Sequence, residues 1–318
     1  MARETFENNG WIPEENSSNV ITRINGASAV EGFGNHEPMG TDVKLVPRMG
    51  AVGVAFIPKG TAYPESTGAN DSVILTARKL GEAVRIAEED INDSPLAIIE
   101  KKKLAWAGDY ARYLDNACLG VSAAENGTTV PFTSVYKAVT TVDAAVGYTA
   151  NANHTSSPTG AMTYASFASA LDKVEASIYF DESRMVVIAH PSFKGLMRGI
   201  VNTVGDPTFV DVRAGQSVAP TFFGYEVKWS LGAKVAALPT ATPGGAGGAK
   251  GAAGNPLMII VNRDLLLVGD RSNPESVVID GRDGLSALTD ETLIKLRSRK
   301  GFALGDVNGA YVYERVTA

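Results

Sequence analysis

Residues 78–120 read RKLGEAVRIAEEDINDSPLAIIEKKKLAWAGDYARYLDNACLG and contain the clearest helix signal in the chain. Asp93 and Ser94 supply side-chain oxygens that can accept hydrogen bonds at a helix N-terminus, and Pro95 suits the first helical position. Apolar residues then recur at helical spacing as far as Gly120, a residue type that commonly follows a helix end. The pattern predicts a long helix with one apolar stripe, against which other elements pack.

The two faces of this helix differ in chemistry. The stripe at helical spacing comprises Leu96, Ile99, Lys103, Trp106, Tyr110, Leu114 and Ala117. The opposite face, which we expect to be solvated, comprises Lys101, Lys102, Asp109, Arg112 and Asp115. Ahead of the helix, residues 80–86 are predicted to form a strand and residues 87–91 a short acidic turn.

Composition favours a globular α+β chain. With 318 residues and 44% hydrophobic content, the chain can bury the core of one large domain or of two closely packed domains. Its 33 glycines favour a fold with many turns over a helix bundle. The formal net charge of -6 argues against a protein that reads nucleic acid through a basic face, but it allows one that encloses nucleic acid without gripping it. No apolar run is long enough to predict a membrane span.

Residue types that usually carry catalysis or bind metals are sparse. The histidines His36, His154 and His190 are far apart in sequence, and none has a His, Cys or carboxylate at ligand spacing. Cys118 is the single cysteine, so neither an intrachain disulfide nor a cysteine-based zinc site is predicted, and we expect a small buried apolar residue. We therefore predict no catalytic residue, no cofactor-binding residue, no metal site and no cofactor.

Two charged groups have more than one interpretation. The acidic group before the helix comprises Glu88, Glu89, Asp90 and Asp93. It lacks the glycine-centred pattern of a calcium loop, so it is predicted to be a solvated face or a partner for a basic strand of a neighbour. The basic group near the C-terminus comprises Lys295, Arg297, Arg299 and Lys300. It would contact nucleic acid or, at least as readily, acidic residues of another subunit.

The N-terminal part of the chain predicts an arm and a hairpin. Residues 1–45 combine turn formers with isolated aromatic and aliphatic residues, which favours an arm that becomes ordered on another subunit or domain over the alternative of a disordered tail. Residues 46–77 carry valine-rich runs around a polar turn and predict a projecting hairpin, which needs a partner surface because a two-stranded ribbon is marginal alone. Residues 121–160 are turn-rich and are predicted to be a surface excursion with short strands.

The C-terminal part mixes helices and strands. A helix capped by Thr163 is predicted, and its packing face comprises Phe167, Leu171, Val174 and Ile178. The apolar run at 184–190 predicts a buried central strand, followed by a short helix and a turn at 205–207. Residues 239–256 predict a flexible loop rich in glycine and alanine. Further strands are predicted at 223–230, 257–268 with a polar turn at 262–264, 276–279, 292–300, 301–305 and 310–314.

The order of these elements resembles the major capsid proteins of tailed bacteriophages with the Hong Kong ninety-seven fold. The residues that match the family pattern around the long helix are Lys79, 84–86, 88–91, Asp93, Ser94, Asp115, Ala117, Leu119 and Gly120. Three later regions match in the same order, at 163–207, at 223–230 and at 292–314, although Glu226 stands where the family often has proline. The resemblance covers roughly residues 43–318 as an order of elements.

This resemblance implies a domain organisation. It implies an α+β fold whose parts are an N-terminal arm at 1–45, an extended hairpin loop at 46–77, a peripheral domain with a long spine helix at 78–120 and 275–304, and an axial domain with a central β-sheet at 121–274 and 305–318.

The resemblance also implies a structural, non-enzymatic function. Copies of the chain would assemble into pentamers and hexamers and close an icosahedral shell around double-stranded DNA, without sequence-specific binding and without a membrane. Scaffolding, portal and decoration proteins would be further partners. The shell would be assembled in the cytoplasm of the bacterial host and become part of the virion. Two alternatives are an encapsulin-like nanocompartment shell and, less favoured because no nucleophile constellation is seen, an α+β hydrolase.

Two family features are not expected in this chain. Some members join a hairpin lysine to an asparagine of a neighbouring subunit; Lys59 is the lysine near the middle of the hairpin, but Asn273 and Asn308 would be guesses for its partner, so no crosslink is predicted. Members often carry a helical scaffolding segment before the arm, which is later removed. The start at Met1 favours a separate scaffolding protein instead.

Overall fold

The computed structural model describes residues 28–49, 54–63, 65, 71–93, 98–202, 204–213, 216–242, 247–279 and 290–316. Its helices are α1 (Ala29–Phe33), α2 (Glu88–Asp93), α3 (Ile98–Leu119), α4 (Val135–Thr140), α5 (Tyr164–Glu175) and α6 (Lys194–Arg198). Its strands are β1 (Asn35–Pro38), β2 (Val43–Arg48), β3 (Asp71–Thr76), β4 (Arg78–Ala87), β5 (His154–Pro158), β6 (Met185–Ala189), β7 (Phe209–Arg213), β8 (Gln216–Phe222), β9 (Tyr225–Trp229), β10 (Leu257–Asn262), β11 (Leu266–Ile279), β12 (Glu291–Leu304) and β13 (Ala310–Val316).

The larger sheet has seven strands, and its middle is buried on both faces. Its order is β5-β13-β10-β6-β9-β8-β7, with parallel pairs at β13/β5 and β6/β9. Side chains from α4 and the C-terminal half of α3 cover one face, while α5 and α6 cover the other. Double burial explains why every residue of β6 and β10 is buried and why both strands are continuous apolar runs. The buried strand predicted at 184–190 is confirmed.

The smaller sheet has four strands in the order β1-β11-β12-β4. Along β12 the side chains alternate, with Ile294 and Leu296 buried while Arg297 and Arg299 are exposed. Ile294 and Leu296 pack with Ile86 of β4 against the first half of α3. One face of the sheet is therefore covered by the long helix, and the alternation predicted for 292–300 is confirmed.

Consecutive strands β10 and β11 belong to different sheets. A single 3-10 turn, Arg263–Leu265, carries the chain from the larger sheet to the smaller one. Asn262 fixes this turn, since its side chain accepts a hydrogen bond from the Asp264 amide at 3.0 Å and donates one to the Tyr179 carbonyl at 2.8 Å. The predicted polar turn is confirmed. Residues 276–279 and 301–304, expected as separate strands, instead continue β11 and β12.

Residues 28–38 pack on their own chain. Val30 and Phe33 of α1 are buried in the main core, and β1 pairs in parallel with β11 between His36 and Val268. The sequence predicts an arm that becomes ordered on another subunit or domain. For residues 28–38, the surface on which the arm packs belongs to the same chain. Residues 1–27, the remainder of that arm, lie outside the described residues, as do the hairpin turn at 66–70 and residues 243–246 of the glycine-rich loop.

The long helix is confirmed, with corrections at both ends. The predicted cap residues Ser94 and Pro95 lie outside the described residues, and the helix is described from Ile98. The acidic stretch expected as a turn forms helix α2. Asp115, expected on a solvated face, is buried, because the C-terminal half of α3 is enclosed by both α1 and the larger sheet. Of the described helices, none has the length and apolarity needed to cross a membrane.

Two further predictions were wrong. Residues 121–160 are not a surface excursion, because Phe132, Val135 and Val139 are buried in the main core. Val135 and Val139 belong to helix α4. Ile178 was placed on the packing face of α5, but the helix ends at Glu175, and Ile178 is 86% exposed. The rest of that face, including the position of the Thr163 N-cap, is confirmed.

Candidate functional site

The β2–β3 hairpin has apolar residues on both of its faces. Inward-facing Leu75 is fully buried against Met39 and Leu267. Outward-facing Leu45 and its cross-strand partner Ile74 are 60% and 58% exposed. In an antiparallel ribbon directly paired residues share a face, so Val43, Leu45 and Ile74 form a short apolar ladder on the outward face. This ladder was missed in the sequence, where apolar residues on both faces hide the period-two signal.

The described part of the segment that follows β2 also exposes apolar residues. Met49, Val54, Phe56 and Tyr63 are all largely exposed. Phe56 and Tyr63, at 91% and 83% exposure, are large aromatic side chains whose transfer out of water is favourable. We call Val43, Leu45, Ile74, Phe56 and Tyr63 the apolar hairpin surface. An exposed apolar set of this kind marks an interaction surface rather than the finished exterior of a monomer.

Arg48 fixes the base of the hairpin to the body of the molecule. Its guanidinium forms a bidentate pair with Asp71 on the opposite strand. It also donates to the Gly305 carbonyl at 3.3 Å and lies 3.4 Å from Asp143 and 3.7 Å from Asp306. The hydrogen bond with Asp71 raises the pKa of Arg48 and lowers that of Asp71. The hairpin is therefore held rigidly at its base, where charge-assisted bidentate geometry is strongest.

Asp115 joins three parts of the chain at the C-terminal half of α3. Its carboxylate accepts hydrogen bonds from the Ser28 hydroxyl at 2.5 Å, from the Ala29 and Val30 amides at 3.0 and 3.1 Å, and from the Ser230 hydroxyl at 2.5 Å. Burial raises the pKa of Asp115, while these four donors act in the opposite direction. The carboxylate thus caps α1 and binds the loop after β9.

Glu314 and His154 form a second buried polar centre. Their side chains lie 3.0 Å apart and are both fully buried at the β13–β5 edge of the larger sheet. Tyr136, Asn255 and the Gly251 amide also donate to Glu314. Burial alone would raise the pKa of Glu314, but hydrogen bonds from His154, Asn255 and Gly251 bring it below its usual value. His154 is accounted for as a structural partner of this carboxylate.

The other two histidines also have structural partners. His36 lies 2.6 Å from Asp270 and 2.8 Å from the Glu31 carbonyl, contacts that together raise its pKa, the carbonyl contributing most. His190 caps a 3-10 turn by accepting a hydrogen bond from the Ser192 amide. Burial, together with nearby positive charge, lowers the pKa of His190 to about 4. The structure brings none of the three histidines together.

Metal-binding and thiol chemistry find no support in the described part of the chain. Within it, no group of three or more His, Cys, Asp or Glu side chains is arranged to hold a metal ion. Cys118 is buried, and burial raises its pKa well above the usual value, so its thiol stays protonated.

The two predicted charged groups lie on different elements, the acidic group on helix α2 and the basic group on strand β12. Glu89 and Asp90 are exposed on α2, directly after β4, while Glu88 is half-buried. Arg297 and Arg299 point outward from β12, but Lys300 points inward and is buried, 2.7 Å from Asp270 and 3.1 Å from Glu31. The basic group is therefore divided between an exposed face and an internal ion-pair cluster.

The lysine and the two asparagines named above for a crosslink all lie in the described part of the chain. Lys59 is exposed in the segment after β2, Asn273 is exposed on β11, and Asn308 lies in the 3-10 turn before β13. The absence of a crosslink stays a prediction.

Two cavities bear on the hydrolase alternative. A cavity of about 270 Å³ between β4 and α3 is lined by Glu82, Trp106, Asp109, Tyr110 and Tyr113, among others, and its described lining holds no histidine, cysteine or serine. A wider groove of about 440 Å³ runs between the hairpin and α4. The described lining of the first therefore offers no serine–histidine or cysteine–histidine pair, and the second is the space beneath the hairpin.

Comparison with known proteins gives a fold but no sequence relative. No protein-family model matches the chain, and no curated protein matches it either. A chain from the capsid of a native GTA particle aligns with a TM-score of 0.68 and 15% identity, covering 98% of each chain. A chain from Mycobacterium phage Bobi aligns with a TM-score of 0.68 and 16% identity, covering 98% of this chain and 97% of its own.

A third solved chain, from Gordonia phage Cozz, aligns with a TM-score of 0.67 and 15% identity, covering 97% of this chain and 92% of its own. Alignment over nearly the whole length of each chain shows that the overall fold is shared. The α+β, Hong Kong ninety-seven-like fold predicted from the sequence is confirmed.

Proposed function

We propose that this protein is a major capsid protein of a tailed bacteriophage, with a mechanical rather than an enzymatic role. The observation that carries the proposal is the apolar hairpin surface on a fold shared along its full length with a capsid chain. Many copies would form pentamers and hexamers and close an icosahedral shell. Because symmetric assembly repeats each contact many times, modest contacts per subunit suffice.

The hairpin is the element that best supports assembly. A two-stranded ribbon is marginally stable in water by itself, yet this one is rigid at its base because Arg48 binds Asp71, Asp143 and Gly305. A rigid arm with an outward apolar ladder is suited to lie on a neighbouring copy. Burial of the Leu45 and Ile74 side chains would stabilise such a contact by about 1–2 kcal/mol per side chain.

The proposed domains follow the two sheets. The extended loop would comprise 46–77, the peripheral domain 78–120 and 275–304, and the axial domain 121–274 and 305–318. The sheet boundary at Arg263–Leu265 favours assigning the first residues of β11 to the peripheral domain as well. The segment at 1–45 would be an arm whose residues from Ser28 onward are docked on the subunit itself.

Double-stranded DNA would be confined by the shell and not read. The net charge of -6 supports confinement, since a sequence-independent grip on DNA needs many basic contacts. Copies of the chain would be the main partner, with scaffolding, portal and decoration proteins as others. Assembly would take place in the bacterial cytoplasm, and the product would be the virion shell.

A nanocompartment shell of encapsulin type is the second candidate, because the same fold would serve it. It would give small shells of uniform pentamers around a protein cargo. The hydrolase alternative is disfavoured by the lining of the cavity between β4 and α3.

Electron microscopy of the purified protein tests the proposal, with the chain expressed alone and together with neighbouring phage proteins. Closed shells containing hexamers and pentamers are expected, and their diameter separates a phage head from a small nanocompartment. A chain that stays a soluble monomer under all of these conditions would rule the proposal out.

A further inference from the structure

The outer face of the four-stranded sheet carries two lysines, Lys79 and Lys295. Arg297 on this face pairs with Glu275, and Arg85 lies 3.4 Å from Glu291. Among the described residues, no carboxylate lies within ion-pair distance of Lys79 or Lys295. The two lysines share the face, because β4 and β12 pair Lys79 with Arg299 and Ala83 with Lys295.

A depression of about 280 Å³ lies between these two lysines. Gly81 and Ala83 form its floor, while Lys79 and Lys295 stand at its two ends. Gly81 has no side chain for a steric reason: a Cβ atom there would come within 2.2 Å of the Leu296 carbonyl oxygen on β12. The close approach of the two strands thus leaves a recess that one acidic side chain can enter. We call Lys79, Gly81, Ala83 and Lys295 the basic depression.

The same sheet ends in an acidic group. Strand β4 runs directly into α2, where Glu89 and Asp90 are exposed. The Glu88 amide donates to the Asp290 carbonyl, which places the start of β12 and its carboxylates at this end as well. Along β4, Ala83 beside Lys295 lies four residues from Ala87, roughly 13 Å at about 3.3 Å per residue, and Lys79 lies roughly 26 Å from it. Within the described part of the chain, the acidic end forms no ion pair with either lysine.

We propose that the basic depression binds Glu89 and Asp90 of a second copy of this chain. The inference rests on the proposed function, since it assigns one contact of the assembly. Opposite charges at separate places on one sheet favour a head-to-tail contact, in which each copy offers its acidic end to the next and its depression to the previous one. Such a contact would form a ring where the rotation between successive copies closes, and charge complementarity would fix its register.

An acidic peptide segment fits this surface better than nucleic acid does. On this face Glu275 pairs with Arg297, and Asp42 lies 3.5 Å from Arg299. These carboxylates would repel a continuous phosphate backbone, whose binding requires neutralising several successive charges. One or two acidic side chains need only the two lysines.

Charge exchange tests the contact in the full-length chain. The variant Lys79→Glu/Lys295→Glu and the variant Glu89→Lys/Asp90→Lys should each reduce the assembled fraction about tenfold at low ionic strength. The variant that carries all four changes should recover assembly to near the wild-type level. Lys101→Glu/Lys102→Glu, on exposed positions of α3, is the matched control and should assemble normally. Melting temperatures of all variants establish that they fold.

Sedimentation velocity measures the association of subunits that have not formed closed shells. The proposed contact can therefore be tested separately from the proposed shell function. If wild-type chains form shells and both reversals assemble equally well, the contact is wrong and the shell function stands. A charge-exchanged variant that fails to recover also overturns the contact. If the wild type forms no shells but self-associates through these charges, the capsid function fails alone. Absence of any self-association overturns both.

Binding of a short double-stranded DNA to the unassembled chain supplies the remaining outcome. Wild type and the Lys79→Glu/Lys295→Glu variant should bind it equally weakly. A loss of DNA binding in this variant with unchanged assembly would assign the depression to nucleic acid and overturn the proposed contact.

Discussion

The Ser28 hydroxyl donates a hydrogen bond of 2.5 Å to the buried carboxylate of Asp115, across 87 positions of sequence. Through this contact the segment that leaves the N-terminal arm is fastened to the C-terminal half of the long helix. The Ser230 hydroxyl reaches the same carboxylate from the loop after β9, so three distant segments share one acceptor.

Replacing Asp115 should therefore destabilise the subunit. In Asp115→Asn an N–H₂ group replaces one carboxylate oxygen. Because Ala29 and Val30 donate to different oxygens of Asp115, this N–H₂ group faces a backbone N–H in either orientation of the side-chain amide. We expect a loss of about 2 kcal/mol in the free energy of unfolding, measured by denaturant titration of unassembled protein. Glu100→Gln on the exposed start of the same helix should change stability by less than about 0.5 kcal/mol. An equal effect of both changes would contradict the role assigned to Asp115.

The apolar hairpin surface should matter for assembly and not for folding. Leu45→Asp/Ile74→Asp adds charge only to exposed positions, so the melting temperature should stay within about 2 °C of the wild type. The yield of shells in electron micrographs should fall at least about tenfold, because a desolvated carboxylate is costly in an apolar contact. Leu45→Val/Ile74→Val keeps the surface apolar and should assemble. Normal shells from the aspartate variant would exclude this surface from subunit contacts.

Arg48 should control the rigidity of the hairpin base. Arg48→Met leaves Asp71, Asp143 and the buried Asp306 without their shared cation, and we expect a loss of about 2–3 kcal/mol in unfolding free energy. Arg48→Lys keeps the charge but not the bidentate geometry, so its loss should be intermediate. Limited proteolysis should cut the segment between β2 and β3 faster in both variants. Unchanged cleavage rates would show that the hairpin is held by its apolar contacts alone.

His36 should make docking of the N-terminal segment sensitive to pH. Its folded-state pKa is raised, chiefly by the Glu31 carbonyl, so its stabilisation is complete below the unfolded value of 6.5 and is lost as the pH rises through the folded value. Because the side chain is 41% exposed, solvent screening limits the effect to about 0.5 kcal/mol. Denaturant midpoints of wild type and His36→Gln should converge as the pH rises from about 6 to about 8.

His190 supplies a control of opposite sign. Its pKa is lowered to about 4 by burial, so the neutral ring is favoured in the fold and stability is lost as the pH falls from 6.5 towards 4. Relative to His190→Gln, the wild type should weaken on acidification, whereas relative to His36→Gln it should strengthen. The same sign for both histidines would contradict the contacts assigned to them.

Local patterns in the sequence predicted the elements that are decided locally. The long helix, the alternation along β12 and the apolar run of β6 follow from periodicity and burial, and each is confirmed. The family order of the elements predicted how they combine. The sequence predicts a turn where helix α2 forms, because an acidic helix of six residues has no periodic pattern of apolar residues.

Features that depend on distant partners could not be read from the sequence. Asp115 looks like a solvated helix residue until Ser28 and Ser230 are placed beside it. The segment at 28–38 looks unable to order itself, because its partner strand β11 lies more than two hundred residues away. Arg48 is an ordinary hairpin cation in sequence, and its link to Asp143 and Asp306 exists only in the fold. The basic depression likewise depends on the register that brings Lys295 beside Ala83.

The order in which the chain leaves the ribosome limits when a subunit can take part in assembly. In the larger sheet β10 and β13 lie between β5 and β6, and in the smaller sheet β11 and β12 lie between β1 and β4. All four of these inner strands are synthesised after residue 256, so β1, β4 and β5 wait without their sheet partners during most of translation. Non-local pairing of this kind slows folding and leaves strand edges open to aggregation. Completion of both sheets therefore requires nearly the whole chain, and the proposed assembly would involve only finished subunits.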